Sequence, residues 1–228
     1  MPSAAPISDL APATDDVAAA TAKFGNATSP LQMSVREAVG LSIALARLSS
    51  QRAAPFDLVV GIANGALLPA KAVADELGIP CEIVKVRRKG SRYKQRLLQL
   101  KDLLHIPTTV LRWGPMGPLI DLFQRLTGKL EESTESFSFD VAGKRVLLID
   151  DAIVTGATLA YVAQKLSDAG AVEAVKSVIC WCDVPGRDVP QPDYHLHRQI
   201  AVYPWSGDSH SLADFKSWLA DNALSLWE

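Results

Sequence analysis

Cysteine is scarce in this chain of 228 residues, which contains only Cys81, Cys180 and Cys182. An odd and sparse set of cysteines does not build a disulfide framework. Cys180 and Cys182 lie in the apolar run 175–182, with their side chains on one face of a predicted strand. We therefore expect buried thiols rather than zinc ligands or a disulfide, because a free cysteine behaves as a small apolar residue. A reducing cytoplasm fits this composition.

The chain also lacks a strong charge of either sign and lacks long apolar runs. Its formal net charge is −2, so no global field attracts nucleic acid or an anionic membrane. No apolar run reaches the roughly 18 to 20 residues that a membrane-spanning helix needs, and no basic and apolar signal sequence opens the chain. With 48% hydrophobic and 21% charged residues, the composition is that of a soluble globular protein. The length of 228 residues is enough for one α/β domain of ordinary size.

The first 30 residues differ in composition from the rest. They are rich in Ala, Pro, Ser and Thr without sustained periodicity, which predicts a flexible leader over residues 1–30. The run from Ser34 to Glu37 then has the pattern of a capping box, and the apolar residues after it predict a helix to Leu48. Residues 31–228 are interpreted as a single folded domain.

Residues 146–159, with the sequence VLLIDDAIVTGATL, carry the strongest functional signal in the chain. Four apolar residues predict a strand buried on both faces, which is typical of a parallel sheet. Asp150 and Asp151 follow at the carboxyl end of this strand, where open α/β sheets place their ligand sites. Their carboxylates suit either sugar hydroxyl groups or a hydrated Mg²⁺ ion, which prefers oxygen ligands.

The segment after the two aspartates has the composition of a phosphate-binding loop. Small and hydroxyl-bearing residues lead directly into the apolar periodicity of a helix, whose first backbone N–H groups are free to hold an anion. Glycine in this loop permits a sharp bend and a close approach to the anion. An ordinary buried strand with a solvated Asp pair and a capped helix is the competing interpretation. The candidate ligands are Val154, Thr155, Gly156, Ala157 and Thr158.

Residues 57–78 repeat this construction. A core strand is predicted from Asp57 to Ile62, and a helix from Leu67 to Leu77 that Gly78 closes. The N–H groups of the turn between them can bind a second anion. A tight turn without a ligand is the alternative. The residues of this turn are Ala63, Asn64, Gly65 and Ala66.

Residues 146–159 resemble the phosphoribosyl-pyrophosphate signature of the type I phosphoribosyltransferases, in which hydrophobic residues and two acids precede a Thr-Gly loop. The resemblance implies an α/β fold with an open, mostly parallel twisted sheet, helices on both faces and a small C-terminal hood over 183–228. It implies that residues 154–158 hold the 5′-phosphate and that Asp150 and Asp151 hold the ribose. Mg²⁺ is the implied cofactor, bound by the same two aspartates directly or through water.

The same resemblance makes the turn at 63–66 the pyrophosphate loop. Family members usually carry a basic residue or a second glycine there, and Asn64 and Ala66 depart from this pattern. Asparagine can donate a hydrogen bond but carries no charge. Pyrophosphate would therefore depend more strongly on Mg²⁺ and on basic residues elsewhere in the chain.

A strand predicted from Cys81 to Val86 leads into the basic segment 87–96. A solvated helix face is the ordinary explanation for such a run of charge. The resembling enzymes place a mobile lid here, which implies a pyrophosphate contact from Arg87 or Arg88 and places Tyr93 near the tip of the lid. Nucleic acid binding is disfavoured because Tyr93 is the single aromatic residue in this segment.

The remaining segments complete the predicted sheet and its cover. The segment 87–135 is long for a lid. Its apolar content fits two roles, an enlarged lid or a dimer contact. We expect a homodimer. Residues 137–139 alternate like an exposed strand, and 175–182 predict another buried strand. A short edge strand is predicted at 194–197 and a closing amphipathic helix at 211–226.

The last third of the chain supplies the candidate base-binding residues. Asp183 ends a predicted strand where 6-oxopurine members of the family tend to carry a lysine. A carboxylate there would accept from N–H donors such as those of guanine or of another amino-bearing base. A turn-initiating aspartate is the alternative. The run Tyr203-Pro204-Trp205 is similar to the hood of bacterial xanthine-guanine enzymes, where an aromatic ring stacks on the base. Packing under the hood is the competing role for Tyr203 or Trp205.

Together these features predict an enzyme that moves a 5-phosphoribosyl group from phosphoribosyl pyrophosphate to a nucleobase nitrogen and releases pyrophosphate. A purine is the favoured base, with guanine or xanthine ahead of adenine. A regulator that senses phosphoribosyl pyrophosphate is one alternative, although no helix-turn-helix pattern precedes residue 57. A transferase with a non-standard acceptor is the other. We expect a cytoplasmic protein without membrane association.

Overall fold

The chain divides into two units, residues 1–85 together with 137–228, and residues 86–136. The predictions for the lid at 87–135, and for all of the leader except Lys23, lie outside the described residues. The computed structural model describes residues 23, 31–86, 137–153, 156–181, 191–198 and 201–226.

The described residues form one five-stranded sheet in the order β2-β1-β3-β4-β5, and every neighbouring pair is parallel. Its strands are β1 (Leu58–Ile62), β2 (Cys81–Val84), β3 (Arg145–Ile153), β4 (Glu173–Trp181) and β5 (Tyr194–His197). The helices described are α1 (Val35–Arg52), α2 (Leu67–Leu77), α3 (Ala157–Asp168) and α4 (Leu212–Asp221). The predicted α/β class with an open parallel sheet is confirmed.

Apolar residues of the central strands pack on both sides of the sheet, because successive residues of a strand face opposite sides. Val59, Leu147 and Val175 are in register across β1, β3 and β4 and belong to one cluster with buried residues of α1 and α2. Leu148, the next residue along β3, does not belong to that cluster, and neither do the buried residues of α3. Helix α3 nevertheless packs against β3 and β4. Helix α3 therefore covers the face opposite to α1 and α2, as predicted.

Helix α1 begins with the predicted capping box. The Ser34 Oγ accepts a hydrogen bond from the Glu37 N–H at 3.2 Å, and the Glu37 carboxylate accepts one from the Ser34 N–H at 2.8 Å. The apolar pattern predicted that this helix ends at Leu48, but the helix continues to Arg52. Ser49 of this helix is polar but buried. Its hydroxyl lies 3.2 Å from the Ser177 hydroxyl of β4, so the buried group has a hydrogen-bond partner.

We expect Ser34→Ala to lower the free energy of unfolding by about 1 kcal/mol, since it removes the acceptor for an N–H group of the first helical turn. Urea denaturation measures this loss. The matched control is Ser50→Ala near the other end of the helix, where the exposed Ser50 hydroxyl only donates to the Arg47 carbonyl. Equal losses in the two variants would show that the cap itself contributes nothing.

Several predicted boundaries are wrong. Residues 137–139 form a bend rather than a strand, and the rings of Phe137 and Phe139 stack with their centroids 5.2 Å apart. Strand β3 does not end before the two aspartates but continues through them to Ile153, because β4 runs alongside and pairs with it as far as Trp181. The predicted strand 81–86 ends at Val84, and the closing helix ends at Asp221 rather than at residue 226.

Neither of the two cysteines within the described residues, Cys81 and Cys180, forms a disulfide. Cys180 is fully buried, and burial raises the pKa of the partly buried Cys81 to about 12. Across the described part of the chain, no group of three or more His, Cys, Asp or Glu side chains could hold a metal ion. Over the same residues, none of the helices combines the length and apolar character needed to cross a membrane.

Candidate active site

The two aspartates lie near the carboxyl end of β3, the middle strand of the sheet. Each carboxylate turns towards the N–H group that follows it in the chain. Oδ1 of Asp150 accepts from the Asp151 N–H at 2.9 Å, and Oδ1 of Asp151 accepts from the Ala152 N–H at 2.7 Å. Both side chains are half-buried. The pair is thus held by its own backbone while keeping acceptor positions for further donors.

The Asp151 carboxylate has a further partner. Its Oδ2 accepts a hydrogen bond from the Trp205 indole Nε1 at 2.8 Å. Desolvation raises the pKa of Asp151, against the opposing effect of hydrogen bonds from Trp205, the Ala152 N–H and the Asp150 side chain. A cation bound beside this carboxyl would favour its ionised form.

The turn at 63–66 reaches the same edge of the sheet, because β1 and β3 are parallel neighbours. A Cβ atom added to Gly65 would lie only 2.4 Å from Oδ2 of Asp151, so no larger side chain fits there without movement. The turn is closed by the Ala66 N–H, which donates to the Ile62 carbonyl at 3.1 Å, and the peptide bond between Ala63 and Asn64 is cis. The structure therefore brings the turn at 63–66 close to the acidic pair, through Gly65 and Asp151.

Helix α3 begins at Ala157, shortly after β3 ends at Ile153. Gly156 is its N-cap with φ 71°, a left-handed conformation that favours glycine, and no side chain among the described residues caps this helix end. The Ala160 N–H donates to the Gly156 carbonyl at 2.9 Å, which starts the helical ladder. Ala157 is exposed and Thr158 is buried. The first turn can therefore present backbone N–H groups to an anion.

Tyr203 and Trp205 both hydrogen-bond to Asp151. Their rings stack with centroids 5.0 Å apart and an angle of 10°, and the Trp205 ring also meets Phe215 at 5.5 Å. Tyr203 is only 5% exposed, and its hydroxyl donates to the Asp151 carbonyl at 3.1 Å. Stacking of either ring on a base stays a prediction. Their contacts with Asp151 carried no sequence signal, since the partners are 52 and 54 residues apart.

Several candidate residues lie outside the part of the chain that the structure describes, so their predicted roles stay predictions. These residues are Arg87, Arg88, Tyr93, Val154, Thr155 and Asp183.

A surface groove of about 340 Å³ runs between α3 and β4. It begins at Gly156 and is lined further along by Ala160 and Ala163 of α3 and by Lys176 of β4. Neither aspartate lines it. The chemistry of the acidic pair is therefore located at the edge of the sheet and not in this groove.

A central parallel strand that carries two carboxylates, flanked by a glycine turn and a glycine-capped helix, defines a ligand site at the carboxyl edge of an α/β sheet. The family model for the phosphoribosyl transferase domain matches residues 37–208. The chain belongs to this family, which confirms the resemblance inferred from residues 146–159.

Individual relatives agree with this assignment. An amidophosphoribosyltransferase of Staphylococcus epidermidis is 30% identical over 125 residues, which cover 55% of this chain and 21% of that protein. An adenine phosphoribosyltransferase of Mycobacteroides abscessus is 34% identical over 145 residues, covering 63% and 68%. The crystal structure of a purine phosphoribosyltransferase from Pyrococcus horikoshii is 26% identical with a TM-score of 0.50, covering 74% and 89%. The chain spans about a fifth of the length of the amidophosphoribosyltransferases that it matches.

Proposed function

We propose that the chain is a phosphoribosyltransferase, which transfers the 5-phosphoribosyl group of phosphoribosyl pyrophosphate to a nucleobase nitrogen and releases pyrophosphate. The observation that carries this proposal is the contact between Gly65 and the Asp151 carboxylate. It joins the turn suited to pyrophosphate with the acids suited to ribose at one edge of the sheet, and the amino terminus of α3 follows β3 in the chain.

A purine is the favoured acceptor. The Tyr203-Pro204-Trp205 run and Asp183 favour a 6-oxopurine such as guanine or xanthine. Adenine is the second candidate, because the Mycobacteroides relative is named an adenine phosphoribosyltransferase. A regulator that senses phosphoribosyl pyrophosphate and a transferase with another acceptor are the alternatives that the experiment below separates.

Mg²⁺ fits the donors at this site. The ion is typically held by one or two carboxylates together with substrate phosphates and water, and Asp150 and Asp151 supply such carboxylates. Because the Asp151 carboxylate lies against Gly65, pyrophosphate on the turn would face a negative charge unless a cation lies between them. When bound there, Mg²⁺ would neutralise the charge of the leaving pyrophosphate.

The residues of the chain then have to bind and orient the substrate rather than form covalent bonds with it. The amino terminus of α3, from Gly156 to Thr158, binds the 5′-phosphate through backbone N–H groups. Asp150 and Asp151 accept hydrogen bonds from the ribose hydroxyl groups. As the bond to pyrophosphate breaks, positive charge develops on the sugar, and nearby carboxylates stabilise it. Closure of the site would exclude water, which competes with the base as nucleophile.

The decisive assay measures pyrophosphate release from phosphoribosyl pyrophosphate and Mg²⁺ with guanine, xanthine, hypoxanthine and adenine in turn. We expect turnover with at least one purine and its loss when a chelator removes Mg²⁺. Tight binding of phosphoribosyl pyrophosphate in calorimetry without turnover on any base would support the sensor. Absence of both binding and turnover would contradict the enzyme and the sensor alike.

We also propose a homodimer in a reducing, cytoplasmic compartment. The support for the compartment is chemical, since Cys81 and Cys180, the two cysteines within the described residues, form no disulfide. Sedimentation equilibrium measures the oligomeric state, and a monomer at micromolar concentration would contradict the dimer.

A further inference from the structure

The hood reaches back to the acidic pair through two hydrogen bonds. The Trp205 Nε1 donates to the Asp151 carboxylate at 2.8 Å, and the Tyr203 hydroxyl donates to the Asp151 main-chain carbonyl at 3.1 Å. Two donors from one short segment thus converge on the side chain and the backbone of a single residue. Such convergence fixes Asp151 relative to the hood.

The bond from Trp205 determines how the Asp151 carboxylate can be used. The Ala152 N–H already occupies one acceptor position on Oδ1, and Trp205 occupies one on Oδ2. A carboxylate has about four acceptor positions, and the Asp150 side chain also hydrogen-bonds to Asp151, so only part of these positions is left for a substrate hydroxyl or a hydrated cation. With both oxygens held by fixed donors, the remaining positions have a set direction. Pre-set directions of this kind are what a binding site needs to orient a reactant.

The donor itself is held rigidly. The Trp205 ring lies against Tyr203 and meets Phe215, which is fully buried. The segment that carries the ring is tied to the start of the domain, because the Met33 N–H donates to the Val202 carbonyl at 3.0 Å and the Val202 N–H to the Leu31 carbonyl at 2.9 Å. The indole N–H is therefore presented to Asp151 by packing on both sides and by backbone pairing.

A simpler explanation of the bond between Trp205 and Asp151 is that the indole N–H only needs some hydrogen-bond acceptor, since the N–H group of a buried tryptophan usually has one. This chain, however, also keeps buried indoles without that benefit. Within the described residues, the Nε1 atoms of Trp181 and Trp218 have no hydrogen-bond partner. The pairing of Trp205 with a candidate site carboxylate is thus a particular feature of this position.

We propose that Trp205 is a positioning residue of the phosphoribosyl site: its indole N–H orients the Asp151 carboxylate, so that Trp205 acts on phosphoribosyl pyrophosphate rather than by stacking on the acceptor base. This inference rests on the proposed function, because it assigns Asp151 to the phosphoribosyl half of the reaction. The sequence predicted that Trp205 stacks on the base, whereas this inference has Trp205 act on the phosphoribosyl group through Asp151.

The test compares Trp205→Phe with the wild-type enzyme while phosphoribosyl pyrophosphate and the base are varied separately. Phenylalanine keeps an aromatic ring and removes the donor. We expect kcat/KM for phosphoribosyl pyrophosphate to fall about 10- to 100-fold, the range for losing a hydrogen bond to a charged group. The KM for the base should change less than about twofold, because no contact with the base is removed.

Trp218→Phe is the matched control. Trp218 also stacks on Phe215, at 6.0 Å and 11°, but its N–H has no partner in the described residues. We expect wild-type kinetics from it. Equal losses in the two variants would assign Trp205 to hood packing and overturn the proposal, as would a rise confined to the KM for the base.

A second pair of measurements keeps the proposal testable if Trp205→Phe folds poorly. Replacing Trp205 by benzothienylalanine puts a sulfur atom in place of the N–H group in a ring of the same shape, and it should weaken phosphoribosyl pyrophosphate binding in calorimetry to a similar extent. In an Asp151→Asn background, the Trp205 change should have little further effect on binding, because the two residues act as one unit. Full additivity would overturn the proposal. A wild-type protein that neither binds nor turns over phosphoribosyl pyrophosphate would instead refute the proposed function itself.

Discussion

Replacing Asp150 and Asp151 together by asparagine is expected to abolish turnover, with a loss on the order of 10³-fold or more in kcat. Asparagine preserves the size of both side chains but removes two negative charges. Those charges stabilise the positive charge that develops on the sugar. The carboxylate oxygens that carry them are also the ligands suited to Mg²⁺. Steady-state pyrophosphate release under saturating substrates measures the effect.

The double variant should stay folded, which separates chemistry from stability. Burial raises the pKa of Asp151 above its ordinary value. A raised carboxyl pKa means that the folded state favours the protonated form of Asp151. The contribution of this carboxyl group to the free energy of unfolding is therefore lost as pH rises through the raised pKa. At neutral pH, asparagine should therefore leave the free energy of unfolding unchanged or increase it, as thermal and urea denaturation would show.

The matched control removes two carboxylates elsewhere. Asp214 and Asp221 are exposed residues of α4, and their replacement by asparagine makes the same change in net charge. We expect this control to keep wild-type kcat. Wild-type turnover in the Asp150→Asn, Asp151→Asn variant would remove the acidic pair from the mechanism, whatever the control shows.

Gly65→Ala is expected to lower kcat/KM for phosphoribosyl pyrophosphate on the order of 10²-fold, the scale for displacing a catalytic group by about an ångström. The new Cβ atom would lie 2.4 Å from Oδ2 and 2.6 Å from Cγ of Asp151. Either the turn or the carboxylate has to move, so the pyrophosphate loop and the acidic pair can no longer hold one substrate in register. Kinetics with varied phosphoribosyl pyrophosphate, and calorimetry of its binding, measure the loss.

Gly207→Ala is the control for this substitution, since a Cβ atom at Gly207 has nothing within 4 Å. We expect it to leave both kinetics and stability close to wild type. If Gly65→Ala binds and turns over substrate as well as Gly207→Ala, the contact between the turn and Asp151 has no part in the function.

Predictions based on neighbouring residues agree well with the structure. The capping box at Ser34 forms with both of its hydrogen bonds. Gly78 closes α2 in the left-handed conformation with φ 65°, and Gly156 opens α3 with φ 71°. Local patterns predict these features because helix ends are satisfied by residues within a few positions of them.

Boundaries that depend on a neighbouring strand were predicted less well. The polar pair Asp150 and Asp151 looked like the end of β3, yet the strand continues to Ile153 because β4 supplies backbone partners there. Phe137 and Phe139 alternate like strand residues, yet their rings stack on each other in a bend. Whether a segment pairs as a strand depends on a partner distant in sequence, which no local pattern contains.

The amino-acid sequence by itself determined the class of fold and the family and made the acidic pair a candidate, because these depend on hydrophobic periodicity and on one contiguous motif. Only the tertiary structure decided what surrounds Asp151. Gly65 approaches from the end of β1 and Trp205 from the hood, and each reaches Asp151 from a remote part of the chain. The physical reason is that strand order and register, rather than residue spacing, decide which side chains meet at the edge of a sheet.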